Sequence, residues 1–234
     1  MNRTNWIEFV PFYLLVVILT IGIAAGGSHA VTVWSENIPM ERSCRIIIDA
    51  GHGGVDGGAT SVTGVLESQI NLQIALRLED LMHLLGYETV MIRREDISIH
   101  TQGETIAAKK VSDLKERARI VRETEDALLV SIHQNYFPQE KYSGAQVFYS
   151  NSDESRILAK NLQEALVKTL NPGSKRMAKK AEGVYLMEHI DCPGVLVECG
   201  FLSNYKEEEL LRTPVYQKKL CAVIASAVST FLNT

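Results

Sequence analysis

Apolar and polar positions follow two rhythms along this chain. Short continuous apolar runs recur at 46–48, 89–92, 127–132, 145–149, 183–187 and 194–197. Several are rich in β-branched residues and are closed by glycine or polar residues, which predicts buried strands. Between them, apolar residues return every three or four positions. Ile70, Ile74, Leu78, Leu81 and Leu85 do so in 66–85, and Leu114, Ala118 and Val121 in 113–123. Leu158, Leu162, Ala165 and Leu166 repeat the pattern in 155–170, as do Leu220, Val223, Ile224, Ala227 and Phe231 after Thr213-Pro214. That spacing predicts helices with one inward face. Gly86 and Asn171-Pro172-Gly173 supply the stops, and Pro214 suits a first helical position. A polar loop is expected from Ser98 to Lys110. Strands alternating with helices give an α/β fold: a single domain over 44–234, with a mostly parallel central sheet flanked by helices.

The first thirty residues break both rhythms. From Phe9 to Gly27 none is charged, and a helix of that length just crosses a bilayer's hydrocarbon core. Arg3 precedes the run and no further Lys or Arg occurs before Arg42, an asymmetry that leaves the N-terminus in the cytoplasm and sends the rest outward. Residues 1–30 are therefore expected to be a transmembrane anchor or a signal peptide, Ser28-His29-Ala30 offering a small-x-small cleavage site. Residues 31–43 form a linker. The domain would work outside the cytoplasmic membrane.

Composition narrows the reading a little further. With 46% hydrophobic and 22% charged residues the chain is ordinary for a globular protein, and a net charge of -4 gives no nucleic-acid footprint. Cys44, Cys192, Cys199 and Cys221 lack any C-x-x-C spacing and read as thiols, Cys221 within an apolar helix.

The chemistry gathers at strand ends. Behind Ile46–Ile48 comes a loop containing Gly51, Gly53, Gly54, Gly57 and Gly58, with His52 inside it. It lacks both the Gly-x-Gly-x-x-Gly and the Gly-Lys-Ser/Thr patterns, so it is not a phosphate cradle. The run at 127–132 leads into His133 and the run at 194–197 into Glu198. In a parallel sheet these ends share one edge, where open α/β folds hold ligands. Glu67 opens the first helix on the same face as Ile70, Ile74 and Leu78. An inward carboxylate is costly unless it is paired or binds a metal. His52, Glu67 and His133 make a suitable three-ligand set for one catalytic Zn2+, with a fourth place open for water.

These residues lie in segments that resemble the zinc-dependent N-acetylmuramoyl-L-alanine amidases of the bacterial cell wall. The likeness rests on Ile48-Asp-Ala-Gly-His-Gly-Gly-Val-Asp-Gly-Gly-Ala59, Glu67-Ser-Gln-Ile-Asn71, Ser131-Ile-His-Gln-Asn135 and Leu196-Val-Glu-Cys-Gly-Phe-Leu-Ser-Asn204. The resemblance implies that His52, Glu67 and His133 bind zinc and that Glu198 is the catalytic carboxylate. Segments ending at Arg94 and Arg117 also look like family segments; Arg93 stands where Thr is more usual, and Gln134 where Ala or Leu is. Ser143–Tyr149, Val184–Met187 and Pro193–Glu198 are similar to the spore-cortex branch of the family, which has a short anchor, one catalytic domain and no wall-binding repeats. It implies removal of stem peptides from peptidoglycan on the way to muramic δ-lactam, in the forespore intermembrane space, with room for an unknown activating protein partner. Two other classes stay open: a zinc carboxypeptidase acting on stem peptides, and a wall-binding protein without catalysis.

The remaining expectations are weaker in chemistry. Arg94, Arg117, Asn135, Lys175 and Arg176 form the expected substrate-binding set. Lys175 and Arg176 belong, with Lys179 and Lys180, to a basic loop before the strand at 183–187. Asn71 and Asn135 suit either ligand orientation or ordinary polar capping. Cys199 follows Glu198 directly, so on a strand it faces the other way and reads as core. His83, His100 and His189 read as structural or solvated.

Overall fold

The computed structural model describes residues 44–234. The expected anchor, 1–30, and linker, 31–43, lie outside the described residues. No helix among the described residues is long and apolar enough to cross a membrane.

The chain builds β1 (Arg45–Ala50), α1 (Glu67–Leu84), β2 (Thr89–Met91), α2 (Ile106–Glu123), β3 (Ala127–Asn135), β4 (Gln146–Tyr149) and α3 (Asp153–Thr169). It continues through β5 (Lys179–Lys180), α4 (Tyr185–Glu188), β6 (Gly194–Phe201), α5 (Tyr205–Leu211) and α6 (Pro214–Leu232). Six strands form one sheet in the order β2-β1-β3-β6-β4-β5. The first four run parallel, whereas β4 is antiparallel to β6 and parallel to β5. The sheet is thus mostly parallel and flanked by helices, as the sequence implies.

Alternation along the strands divides the core. Ile46, Ile48, Leu128, Val130, Val195 and Val197 face one layer with Ile70, Ile74, Leu158, Leu162, Leu220 and Ile224 of α1, α3 and α6. Ile47, Leu129 and Leu196 face the other, against Ala118 and Val121 of α2 and Leu186 of α4. On this second face the apolar rows give way to polar ones towards the strand ends: Asp49 on β1, Ser131 and His133 on β3, Glu198 on β6. β2 and β3 lie on opposite sides of β1, so the sheet order reverses beside β1. The crevice at such a reversal, beyond the carboxyl ends of the strands, is where a parallel sheet offers a ligand site.

Several expected elements come out differently. The polar loop is shorter, because α2 starts at Ile106, where the Thr105 side chain accepts a hydrogen bond from Ala108 N. The run at 183–187 forms the single turn α4, since its apolar residues seal the α2 face rather than join the sheet. Lys179–Lys180, expected in a loop, pair with Phe148 and Tyr149 as an exposed edge strand. Leu85 lies outside the core, and Met82 takes the inward place at the end of α1. β6 continues past Glu198 to Phe201.

One buried ion cluster fixes the edge that matters. Arg117 on α2 is 2% exposed and pairs with Asp49 and Asp113. Its Nη2 donates to His52 O at 2.7 Å and its Nη1 to Ala50 O at 3.0 Å. Ser131 Oγ donates to the second oxygen of Asp49 at 2.6 Å. Burial would raise the Asp49 carboxyl, but the Arg117 charge and these hydrogen bonds hold it below its ordinary value. Arg117→Met should cost about 3–5 kcal/mol, because Asp49 is left buried without its cation. Asp49→Asn in the same chain should restore part of the loss. Urea denaturation of the single and double variants checks this; a single variant as stable as the parent contradicts it.

Candidate metal centre

The His52 loop is shaped by close approach. A Cβ on Gly51 would overlap the His133 ring, and one on Gly58 would lie 2.6 Å from Glu67 Oε2. His52 itself adopts φ 61°, a left-handed conformation that costs non-glycine residues roughly 1–3 kcal/mol and recurs at functional sites. Buried arginines hold it there. Besides Arg117, Arg93 donates to Ala50 O, Gly51 O, Ser68 O and Glu95 O at 2.8–3.0 Å.

Three ligating side chains converge from three elements. His52 comes from the loop after β1, His133 from β3, and Glu67 from the first turn of α1. Glu67 Oε2 lies 3.3 Å from His52 Nε2, and Glu67 Oε1 lies 3.0 Å from His133 Nδ1. The two rings stand edge to face with centroids 4.9 Å apart. Among the described residues these are the one His/Cys/Asp/Glu group with donor atoms all within 4.8 Å of one another. Two imidazoles and a carboxylate suit a divalent transition-metal ion and leave a coordination place over, so the residues fit a catalytic metal.

A second set of groups orients the ligands. His52 Nδ1 lies 2.9 Å from Asp56 Oδ2, which directs Nε2 towards Glu67; Lys110 in turn pairs with Asp56 at 3.1 Å. Glu67 accepts from Ala59 N, Gln134 N and Asn71 Nδ2 at 3.0–3.2 Å, and Gln134 Nε2 donates to Asn71 Oδ1 at 3.1 Å. Burial would raise the Glu67 carboxyl, yet the histidines and their hydrogen bonds hold it far below its ordinary value. Burial likewise opposes the charged form of His52, but Asp56 and Glu67 outweigh it and hold the ring at about 9.

Glu198 sits apart from this network while remaining beside it. It is the cross-strand partner of His133. Its Oε2 is shielded from solvent and has no hydrogen-bond partner among the described residues. Burial pushes its carboxyl up to about 7, with Glu67 adding and His133 opposing. A carboxyl near 7 is suited to proton transfer at neutral pH.

The other expected site residues are dispersed. Arg117 is a correction: its donors are spent on Asp49, Asp113 and two loop carbonyls, so it holds the ligand loop and does not face substrate. Arg94 is another. It pairs with Glu79, three turns along α1 from Glu67 and roughly 18 Å away, while its neighbour Arg93 reaches the loop. Asn135 ends β3 half-buried, and its backbone O accepts from Leu202 N. Arg176 Nη1 donates to Gln146 Oε1 at 3.4 Å, and Gln146 is the cross-strand partner of Glu198. Lys175 is exposed and makes no hydrogen bond or ion pair among the described residues. Cys199 packs into the opposite core layer, where burial pushes its thiol well above the ordinary value. His83, His100 and His189 bind Thr89, Ser98 and Tyr185 respectively, away from the cluster. Asp56 is the site residue that the sequence pattern does not single out; its signal is a carboxylate four residues after a histidine in a glycine loop.

The raised groups give a pH dependence with a definite sign. His52 and Glu198 both hold protons more tightly folded than unfolded, so their contribution to stability falls as pH rises. For Glu198 the loss begins above its ordinary value and runs through about 7; for His52 it runs on through about 9. Chelator-treated protein should therefore lose stability between about pH 6.5 and 9. Metal-loaded protein should be flatter there, because coordination keeps the imidazole unprotonated. Urea titrations across that range decide the matter, and a rising profile in the stripped protein contradicts it.

The same fold recurs in known proteins. The family model described as N-acetylmuramoyl-L-alanine amidase matches residues 46–230. The chain is 33% identical to the germination-specific N-acetylmuramoyl-L-alanine amidase of Bacillus subtilis, over 99% of this chain and 96% of that one. It also superposes on the CwlD amidase from Clostridioides difficile, solved in complex with the GerS lipoprotein, with a TM-score of 0.78 and 37% identity over 81% of this chain and 98% of that one. An N-acetylmuramoyl-L-alanine amidase from Clostridium difficile 630 gives a TM-score of 0.71 at 28% identity, covering 82% and 97%. This chain belongs to the N-acetylmuramoyl-L-alanine amidases, a family of metal-dependent peptidoglycan hydrolases.

Proposed function

We propose that His52, Glu67 and His133 hold one zinc ion and that Glu198 moves the proton as the chain cuts the amide bond joining the lactyl group of N-acetylmuramic acid to L-alanine. When bound, zinc would lower the pKa of a water to about 7 and polarise the scissile carbonyl. The observation that carries the reading is the contrast between the two carboxylates. Glu67 is filled with donors and stays ionised, as a ligand must. Glu198 has an unpartnered oxygen and a carboxyl at about 7, beside His133. It accepts the proton of the attacking water and returns it to the departing nitrogen of L-alanine. Asp56 and Arg117 keep His52 aimed at its post throughout. Of the expected substrate contacts, Asn135 ends the strand that carries His133 and Arg176 bonds the cross-strand partner of Glu198, which supports keeping them, with the adjacent Lys175, as proposed contacts.

The likeness to a germination-specific amidase supports a place in the spore cortex. There, removal of stem peptides would precede muramic δ-lactam formation by a separate deacetylating step. The complex of the similar CwlD amidase with a lipoprotein supports a protein partner for this chain. Such work requires the domain outside the cytoplasmic membrane, held by or released from residues 1–30, and for this branch in the forespore intermembrane space.

Two sets of variants test the division of labour. Glu198→Gln should fold and bind zinc as the parent does, and lose kcat by about 10²–10⁴ with KM little changed. His52→Ala, Glu67→Ala or His133→Ala should each lose most of the metal, measured by elemental analysis. A Glu198→Gln variant that keeps near-full activity, or sheds its zinc, refutes the assignment. Digestion of purified peptidoglycan should expose a new L-alanine amine; release of a C-terminal amino acid instead would make the protein a carboxypeptidase.

A further inference from the structure

We propose that the loop between β3 and β4 is a binding platform for the sugar rings of the glycan strand. The inference rests on peptidoglycan being the substrate. β3 carries His133 and runs on to Tyr136 and Phe137; β6 carries Glu198 and ends at Phe201. Tyr136 stands three positions after His133 and Phe201 three after Glu198, at most about 10 Å of extended chain in each case. Phe137 and Phe201 are joined through Tyr142 of the same loop. Phe137 stands edge-on to Tyr142 with centroids 4.7 Å apart, and Tyr142 stacks over Phe201 at 6.3 Å and 27°. Phe201 is buried, with the Arg176 guanidinium 4.9 Å over its ring. It is the floor of the platform.

The upper rings stay open. Tyr136 is 48% exposed, Phe137 44% and Tyr142 36%. A folded chain gains nothing in stability from leaving neighbouring aromatic rings in water, and such patches mark contact surfaces. The loop is also held rather than loose. Ser203 Oγ accepts from Phe137 N, and Asn204 Nδ2 donates to Glu140 O and Tyr142 O. Glu207 and Asn171 side chains accept from Gly144 N and Ala145 N. Rings fixed in advance lose little freedom on binding.

Ring chemistry selects the occupant. An aromatic face carries negative charge density. The flat face of a pyranose presents several C–H bonds of partial positive charge, with its hydroxyls and N-acetyl group at the rim. The carboxylates of stem peptides are repelled by such a face. A cleft of about 590 Å3 lies beside Tyr142, with Lys141, Asn171 and Arg176 on its walls, so the rim groups find donors there. An N-acetylated sugar strand therefore suits the platform, and it is continuous with the bond to be cut.

The experiment uses the full chain and two kinds of probe. A tetramer of N-acetylglucosamine, free of peptide, should bind the parent, and Phe137→Ala or Tyr142→Ala should weaken it about tenfold. On long peptidoglycan strands the same variants should raise KM by a similar factor at unchanged kcat. On a muramyl peptide with a single sugar, kcat/KM should be unchanged. Tyr142→Phe, which keeps the ring, should restore tetramer binding. Equal tetramer binding by parent and Ala variants overturns the proposal, as does an equal loss on strands and on the single-sugar substrate. Should the surface serve a protein partner instead, strand KM will not move, and that also overturns it. Tetramer binding is read without hydrolysis, so failure of the platform is separable from failure of the amidase reading.

Discussion

The site depends on burying one carboxylate between two imidazoles. Glu67 is 3% exposed, and a charge at that depth is tolerable only when both oxygens are fully engaged. Its partners are drawn from every part of the edge: His52 and Ala59 from the glycine loop, Asn71 from its own helix, His133 and Gln134 from β3. β1, α1 and β3 must therefore be in register before the carboxylate is satisfied. Folding the sheet and assembling the site are in that sense one event.

The glycine loop adds a second constraint. It must bring His52 close to His133 and Glu67, which forbids side chains at Gly51 and Gly58 and forces His52 to a positive φ. Such a loop has few apolar contacts of its own, Ala59 against the core being one. Two buried guanidiniums compensate. Arg117 binds the carbonyls of Ala50 and His52, and Arg93 those of Ala50, Gly51, Ser68 and Glu95. Guanidinium suits the task because its donors fan out in one rigid plane. The Asp49 and Asp113 carboxylates balance Arg117 and so let two cations lie near each other under one loop.

Much of this arrangement is legible in the order of residues alone. The runs at β1 and β3 are continuous because both faces are covered, and the four long helices announce themselves by their spacing. His52, Glu67 and His133 stand out because strand ends and an inward first-turn carboxylate have chemical meaning without coordinates. What stays hidden depends on tertiary packing. Residues 183–187 have strand composition, yet Leu186 and Met187 find their apolar partners on α2, so the segment curls into a helical turn there. Lys179 and Lys180 form a strand only because β4 offers its outer edge. Arg94 and Arg117 look equivalent as letters, both being arginines in segments like those of the family. Only burial tells them apart: one is exposed while it pairs with Glu79, the other lies in the interior with Asp49. Asp56 hides among glycines whose loop path no periodicity describes.

The pairing of Glu67 with Glu198 shows how one residue type takes two roles on one edge. Both carboxylates lie within the same electrostatic neighbourhood, and each feels His52 and His133. Hydrogen bonding separates them. Glu67 receives three donors besides the histidines, and each stabilises the ionised form. Glu198, on β6, meets no such donors at Oε2, so burial dominates and its carboxyl rises to about 7. A group with the first environment holds its charge at any working pH, as a ligand must. A group with the second exchanges its proton at little cost near neutrality, as an acid–base residue must. Supplying Glu198 with a backbone or amide donor would make it resemble Glu67 and remove that capacity. The bare apolar approach of Val195, Leu196 and Val197 to Glu198, with its oxygen left unpartnered, is thus a requirement of the chemistry rather than a flaw in packing.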